Sequence, residues 1–205
     1  MELIASIRRN AVGLAIFAVV TAGFIGVTQY LSAPIIADNI VAAQRAAFNE
    51  VLPHERYNND ITQDVITLAG DPLLGTNEPV QAFIGRLDGE VSAIIFETKA
   101  PGGYNGSLDL IVAIDKDGVV TGARVIAHKE TPGLGDKVDL KKSSWIESFA
   151  GKSFLNLKES LWGVKKDGGQ FDQFTGATIT PRAVVKAVKN TLIYFEQHKA
   201  ELLAR

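Results

Sequence analysis

Val80-Gln-Ala-Phe-Ile-Gly-Arg-Leu87, Asp88-Gly89, Glu90-Val-Ser-Ala-Ile-Ile-Phe-Glu-Thr-Lys99 reads as two apolar runs joined by a two-residue turn. Asp-Gly between such runs signals a β-hairpin, because the tight turn that matches strand twist needs positive φ at its central residues. Leu108–Asp115 and Val119–His128 repeat the arrangement around Lys116-Asp117-Gly118. In each pair the second strand carries Val, Ile and Ala suited to a buried face. Strands that arrive as hairpins specify antiparallel pairing, whereas a parallel doubly wound sheet alternates strands with helices. No Gly-x-Gly-x-x-Gly opens a helix after a strand, so the sequence lacks the dinucleotide fingerprint.

Two special loops frame the second hairpin. Pro101-Gly-Gly-Tyr104-Asn-Gly106 precedes it and is dense in residues that tolerate positive φ, reading as a connection between hairpins. Glu130-Thr-Pro-Gly-Leu-Gly-Asp136 follows it. A terminal helix then shows one apolar stripe of Val184, Val185, Val188, Leu192 and Phe195, with Arg182, Lys186 and Lys189 on its wetter side. Thr180 is expected to cap this helix and Pro181 to occupy its first turn. The expected fold is therefore α+β: one N-terminal transmembrane helix, then an antiparallel-sheet domain with a C-terminal helix.

Ala11 to Ala37 contains no Asp, Glu, Lys or Arg. About 20 apolar residues span a bilayer core as an α-helix, so the run is long enough. A cleaved signal peptide is the competing reading, but its apolar core is usually only ~7–15 residues, and Leu31-Ser32-Ala33 only weakly imitates a cleavage site. Arg8 and Arg9 precede the run and Asp38 is the first charge after it, so the N-terminus is expected in the cytoplasm and the rest outside it. The expected divisions are 1–10 as cytoplasmic N-terminus, 11–33 as membrane helix, 34–79 as connecting helix and loops, and 80–205 as the antiparallel-sheet domain. Within the connection, Ala37–Val51 has helical periodicity and either continues the membrane helix or docks on the domain. Pro53, Asn58-Asn59-Asp60 and Gly70-Asp71-Pro72 read as loops or turns.

Composition excludes several classes. Net charge is −2 over 205 residues, giving no basic footprint for nucleic acid. There is no cysteine and only three scattered histidines, so the chain offers neither an iron–sulfur nor a zinc ligand set. The apolar run holds no ionisable residue, so this helix alone provides no ion path. Trp145, Trp162 and Phe174 read as packing residues, and His128 as structural or solvated.

The candidate chemistry lies in Asp172-Gln-Phe-Thr175-Gly176-Ala177-Thr178-Ile-Thr180, directly before the terminal helix. Gly176-Ala177 leaves the backbone approachable, two hydroxyls flank the pair, and the helix start offers unpaired amides to a phosphate. The same residues also make an ordinary hydroxyl-rich capping turn, and local chemistry leaves both readings open.

Asp-x-x-[Ser/Thr]-Gly-Ala-Thr resembles the flavinylation motif of the FMN-binding subunits of bacterial Rnf (Rsx) and Nqr redox pumps. The likeness extends along the chain: a short basic N-terminus, one membrane helix, Gly103-Tyr-Asn-Gly106, then His128-Lys-Glu-Thr-Pro-Gly-Leu-Gly135, then the motif and terminal helix. Thr175 stands where the Nqr proteins usually have Ser, and the chain lacks their extra length, so the pattern is more similar to the G subunit of Rnf than to the C subunit of Nqr. The resemblance implies FMN joined by a phosphoester to Thr178, installed by a flavin transferase that uses FAD. It implies further flavin contacts from Asp172, Thr175, Gly176, Ala177, Glu130, Thr131, Leu134 and Tyr104. It also implies a bacterial inner-membrane location with the FMN domain in the periplasm, and partner subunits among which electrons are relayed. Such a chain is not expected to turn over a substrate alone. The rival readings are a membrane-tethered binding or assembly module without covalent flavin, and a threonine-nucleophile hydrolase, for which no base is placed near Thr178.

Overall fold

The computed structural model describes residues 2–205. Met1 and the side chains of Glu2, Leu3, Ala5, Ala37 and Asp38, the last of which carries the expected flank charge, lie outside the described residues. The chain divides into two compact units, one ending at Gln44 and one running from Arg45 to Arg205.

The first unit is helix. It belongs to α1, Glu2–Val51, which continues through Pro34. Leu14, Phe17, Val19 and Phe24 are all exposed. A helix that presents apolar side chains all round suits a hydrocarbon environment, and α1 is long and apolar enough to cross a membrane.

The second unit is built on five antiparallel strands in chain order: β1 (Val65–Leu68), β2 (Val80–Leu87), β3 (Glu90–Gly103), β4 (Gly106–Asp115) and β5 (Val120–Ala127). The Asp88-Gly89 turn has φ of 55° and 88° at its two residues, as its sequence requires. Two elements exceed the sequence expectation. β1 is a four-residue edge strand lying between polar clusters that read as loops. The glycine-rich stretch after Ala100 is not a crossover: β3 runs on to Gly103, turns at Tyr104-Asn105 and pairs back with Gly106, making a third hairpin.

Both sheet faces are covered, and strand alternation sorts the side chains between them. Ala82, Ile84, Ile94, Phe96, Leu110, Val112 and Ile114 pack toward α2 (Ile179–Leu203). All five expected stripe residues of α2 are buried, each such side chain stabilising by about 1.5–3 kcal/mol relative to exposure. Phe96 meets Phe195 edge-on at 6.3 Å.

Phe83, Ala93, Ile95, Ile111 and Ala113 face the other way, onto Phe48, Val51 and Leu52. The last turn of α1 is held by β5: Thr121 Oγ1 donates to Val51 O at 2.7 Å, and Arg124 Nη2 donates to Glu50 O at 3.0 Å. A guanidinium among the final carbonyls of a helix satisfies orphan acceptors and complements the dipole. Gly122 permits the approach, since a Cβ there would lie 2.7 Å from Val51 Cα. Ala37–Val51 therefore both continues the N-terminal helix and, from Arg45 onward, docks on the sheet.

Between β5 and α2 the chain forms short 3-10 turns around an aromatic cluster. Trp145, Phe149, Trp162, Phe171 and Phe174 stack, tilt together or meet edge-on at centroid distances from 4.5 to 6.5 Å, so the tryptophans are packing residues as expected. This cluster sets the approach to α2: Phe174 rests on Trp145, whose Nε1 donates to Asp172 O at 2.8 Å.

Candidate cofactor site

The turn Phe174-Thr175-Gly176-Ala177 closes through Ala177 N–H donating to Phe174 O at 3.1 Å, with Gly176 at φ 81°. Glycine is the residue for that position, because a Cβ at positive φ crowds the following carbonyl. Thr178 then stands at the N-cap of α2 with helical angles, φ −79° and ψ −24°, and its side chain makes no capping hydrogen bond. The hydroxyl is half-buried and uncommitted to the helix it precedes.

The expected cap is elsewhere. Thr180 lies inside the first turn, fully buried, and its hydroxyl donates to Glu130 Oε2 at 2.5 Å. Capping preference favours a threonine near a helix start, but a tertiary acceptor claims this one. Pro181 occupies the first turn as expected.

Glu130 is the buried carboxylate of the site, with 6% of its surface exposed. Its Oε1 accepts from the Asn105 N–H at 3.1 Å, and its own N–H donates to His128 Nδ1 at 3.1 Å. Asn105 Nδ2 also donates to Thr131 Oγ1 at 3.1 Å. Two glycines make room for the carboxylate. A Cβ on Gly135 would run into Glu130 Oε2, and one on Gly103 would stand 2.9 Å from Oε1.

These contacts surround a cavity of about 380 Å³ lined by Tyr104, Glu130, Thr131, Leu134, Gly135, Gly176, Ala177, Thr178, Ile179 and Thr180. That volume is in the range of small-molecule and cofactor sites. Its chemistry is divided. Tyr104, Leu134 and Ile179 are exposed apolar side chains at the cavity, while Thr178 and the first-turn amides of α2 supply a hydroxyl and hydrogen-bond donors suited to a phosphate.

Seven residues singled out from the sequence meet at this cavity: Tyr104, Glu130, Thr131, Leu134, Gly176, Ala177 and Thr178. Two do not line it. Thr175 is exposed at the tip of its turn, and Asp172 is an exposed residue paired with Lys165 Nζ at 2.6 Å. Gly135, in the quoted loop where its lack of a side chain allows close backbone approach, also lines the cavity, whereas Ile179 and Thr180 were missed as lining residues although both lie within the quoted motif. Among the described residues no group of three or more acidic, histidine or cysteine side chains could hold a metal ion.

The FMN-binding domain family matches residues 103–193, which include every lining residue, and the RnfG N-terminal region family matches residues 1–51. The G subunit of the ion-translocating oxidoreductase complex of Vibrio cholerae is 46% identical over 98% of this chain and 95% of its own length. The Erwinia tasmaniensis protein of the same name is 46% identical over 96% of this chain and 93% of its own. The crystal structure of Shewanella oneidensis NqrC aligns with 72% of this chain and 76% of its own, with a TM-score of 0.49 and 22% identity.

Proposed function

The chain belongs to the RnfG family, the G subunits of the ion-translocating oxidoreductase (Rnf) complexes, and on that premise we propose that it is the FMN-carrying electron-transfer subunit of such a complex, with the flavin held on Thr178 by a phosphoester. The observation that carries the proposal is the state of Thr178. It is a hydroxyl at a helix start that does not cap the helix, on the wall of a cofactor-sized cavity.

The residues fit the group. Phosphate belongs at Thr178 and the free amides opening α2, and the ring system belongs against Tyr104, Leu134 and Ile179. Bound flavin supplies the redox chemistry. The chain supplies a fixed point of attachment, apolar walls that exclude water from one side, and a surrounding frame of short loops. Attachment forms the Thr178 Oγ–phosphorus bond, breaks the pyrophosphate link of FAD, releases AMP and frees the hydroxyl proton. A partner transferase performs this step. The exposure of Asp172 and Thr175, off the cavity lining, supports a part for them in recognition by such an enzyme.

Arg8 and Arg9 before the apolar helix support a single crossing of the bacterial inner membrane, with residues 1–10 cytoplasmic, 11–33 in the bilayer and the cofactor domain periplasmic. FMN lost in that compartment is not readily replaced, and a tether keeps its effective concentration high. The electron donor and acceptor are other subunits of the complex.

The test is intact mass of the full-length chain made with a flavin transferase. The expected result is a mass increment of one FMN, an ultraviolet-fluorescent band on a denaturing gel, and loss of both in Thr178→Val. An unmodified wild type would favour the tethered binding module. A fluorescent Thr178→Val band would move the attachment to another residue.

A further inference from the structure

We propose that Glu130 is a positioning residue: it ties together the three segments that wall the cavity and so sets where the flavin is held, without being a partner of the flavin itself. The inference rests on the cavity being the flavin site. Glu130 stands on the loop after β5, and each of the other two walls sends a donor to its carboxylate. The β3–β4 turn sends Asn105 N–H to Oε1, and the first turn of α2 sends Thr180 Oγ–H to Oε2. A second strut, Asn105 Nδ2 to Thr131 Oγ1, joins the same turn to the loop after β5.

The carboxylate is thus engaged on both oxygens by the protein, at 6% exposure. Its backbone is pinned as well, because the Glu130 N–H donates to His128 Nδ1. A buried carboxylate is costly unless its oxygens are satisfied. Glycine at 135 keeps a Cβ from running into Oε2, and one at 103 would stand 2.9 Å from Oε1. Tyr104 precedes Asn105, Leu134 precedes Gly135, and Thr178 lies two residues before Thr180. Every side chain assigned to hold the cofactor is therefore within two residues of a member of this knot. Displacing the carboxylate displaces the walls together.

The experiment uses the full-length chain in detergent, prepared with and without co-expressed flavin transferase, as wild type, Glu130→Gln, Glu130→Ala and Thr180→Val. In the unmodified chain, hydrogen exchange at the Asn105 amide reads the knot directly. In the modified chain, visible circular dichroism and fluorescence anisotropy of the flavin read its orientation. Glu130→Ala is expected to raise Asn105 exchange about tenfold, the consequence of losing a bond to a carboxylate, and to collapse the flavin's dichroism. Glu130→Gln is expected to restore both readouts, since its carbonyl accepts from Asn105 while its NH₂ donates to Thr180. Thr180→Val, which keeps volume, should move both in the direction of Glu130→Ala, and it carries the test if Glu130→Ala does not fold.

Unchanged exchange and dichroism in Glu130→Ala, or in Thr180→Val where Glu130→Ala does not fold, would overturn the proposal. So would a Glu130→Gln protein with normal exchange but disturbed flavin, which would make the carboxylate a direct flavin partner. If wild type carries no FMN, the attachment reading fails by mass, and the exchange measurement on the unmodified chain still decides the knot.

Discussion

Thr180 Oγ1 donates to Glu130 Oε2 at 2.5 Å across a sequence separation of 50 residues, fixing the opening turn of α2 to the loop that follows β5. Thr180→Val removes the donor and leaves a buried carboxylate oxygen unpaired. The expected cost is about 1–3 kcal/mol of global stability, measured by urea unfolding of the unmodified chain. A loss below about 0.5 kcal/mol would show that this bond is replaceable by water.

Glycines in the same loop separate space from conformation. Gly133 has φ 79° with nothing near a would-be Cβ, so Gly133→Ala is expected to cost only the left-handed backbone penalty, about 1–2 kcal/mol. Gly135→Ala drives a methyl into Glu130 Oε2 and toward Thr180 Oγ1 at 2.9 Å, and should cost more than Gly133→Ala by urea unfolding. Equal costs would contradict the packed arrangement around Glu130.

Glu97 governs a pH effect at the sheet. Burial, with Asp109 as a like charge nearby, raises its carboxyl above the ordinary 4.5. Between the ordinary and raised values the folded chain holds a proton that the unfolded chain has lost. Stability from this group therefore falls as pH rises through that window, and the penalty is fully present above the folded value. Glu97→Gln is expected to be more stable than wild type at neutral pH and to show a flatter stability profile as pH rises above the ordinary carboxyl value. Thermal unfolding across that range checks the sign, and a destabilised variant at pH 7 would refute it.

Phe48 fills the contact between the last turn of α1 and the sheet, 2% exposed and 4.6 Å from the Phe83 ring. Phe48→Ala is expected to cost about 3–5 kcal/mol, read as a lower thermal midpoint of the unmodified chain. The proposed flavin attachment, at the start of the helix on the opposite face of the sheet, should persist in molecules that remain folded.

The hairpins at Asp88-Gly89 and Lys116-Asp117-Gly118 were legible because the turn chemistry is local and the flanking runs are long. The third hairpin was not. Pro101-Gly102-Gly103 reads as a loop, and what seats the turn beyond it is the Asn105 N–H reaching Glu130, a partner 25 residues on. β1 was hidden by its four-residue length among polar clusters. At the site, motif order brought seven of the named residues to one cavity, yet it also suggested Asp172 and Thr175, which face solvent. A motif records which residues occur together and not which act together. Thr180 shows the limit most directly, since a helix-start threonine carries no local mark of a buried acceptor elsewhere in the chain.

The sheet is a meander whose neighbours are adjacent in sequence, so its strands can pair in the order in which they leave the ribosome. The cavity cannot form that way. Its walls come from the β3–β4 turn, from the loop after β5 and from the start of the C-terminal helix, so it is absent until synthesis is nearly finished. A nascent or truncated chain can own a complete sheet and still present Thr178 outside its proper setting, so the proposed modification there would report on the completeness of the polypeptide.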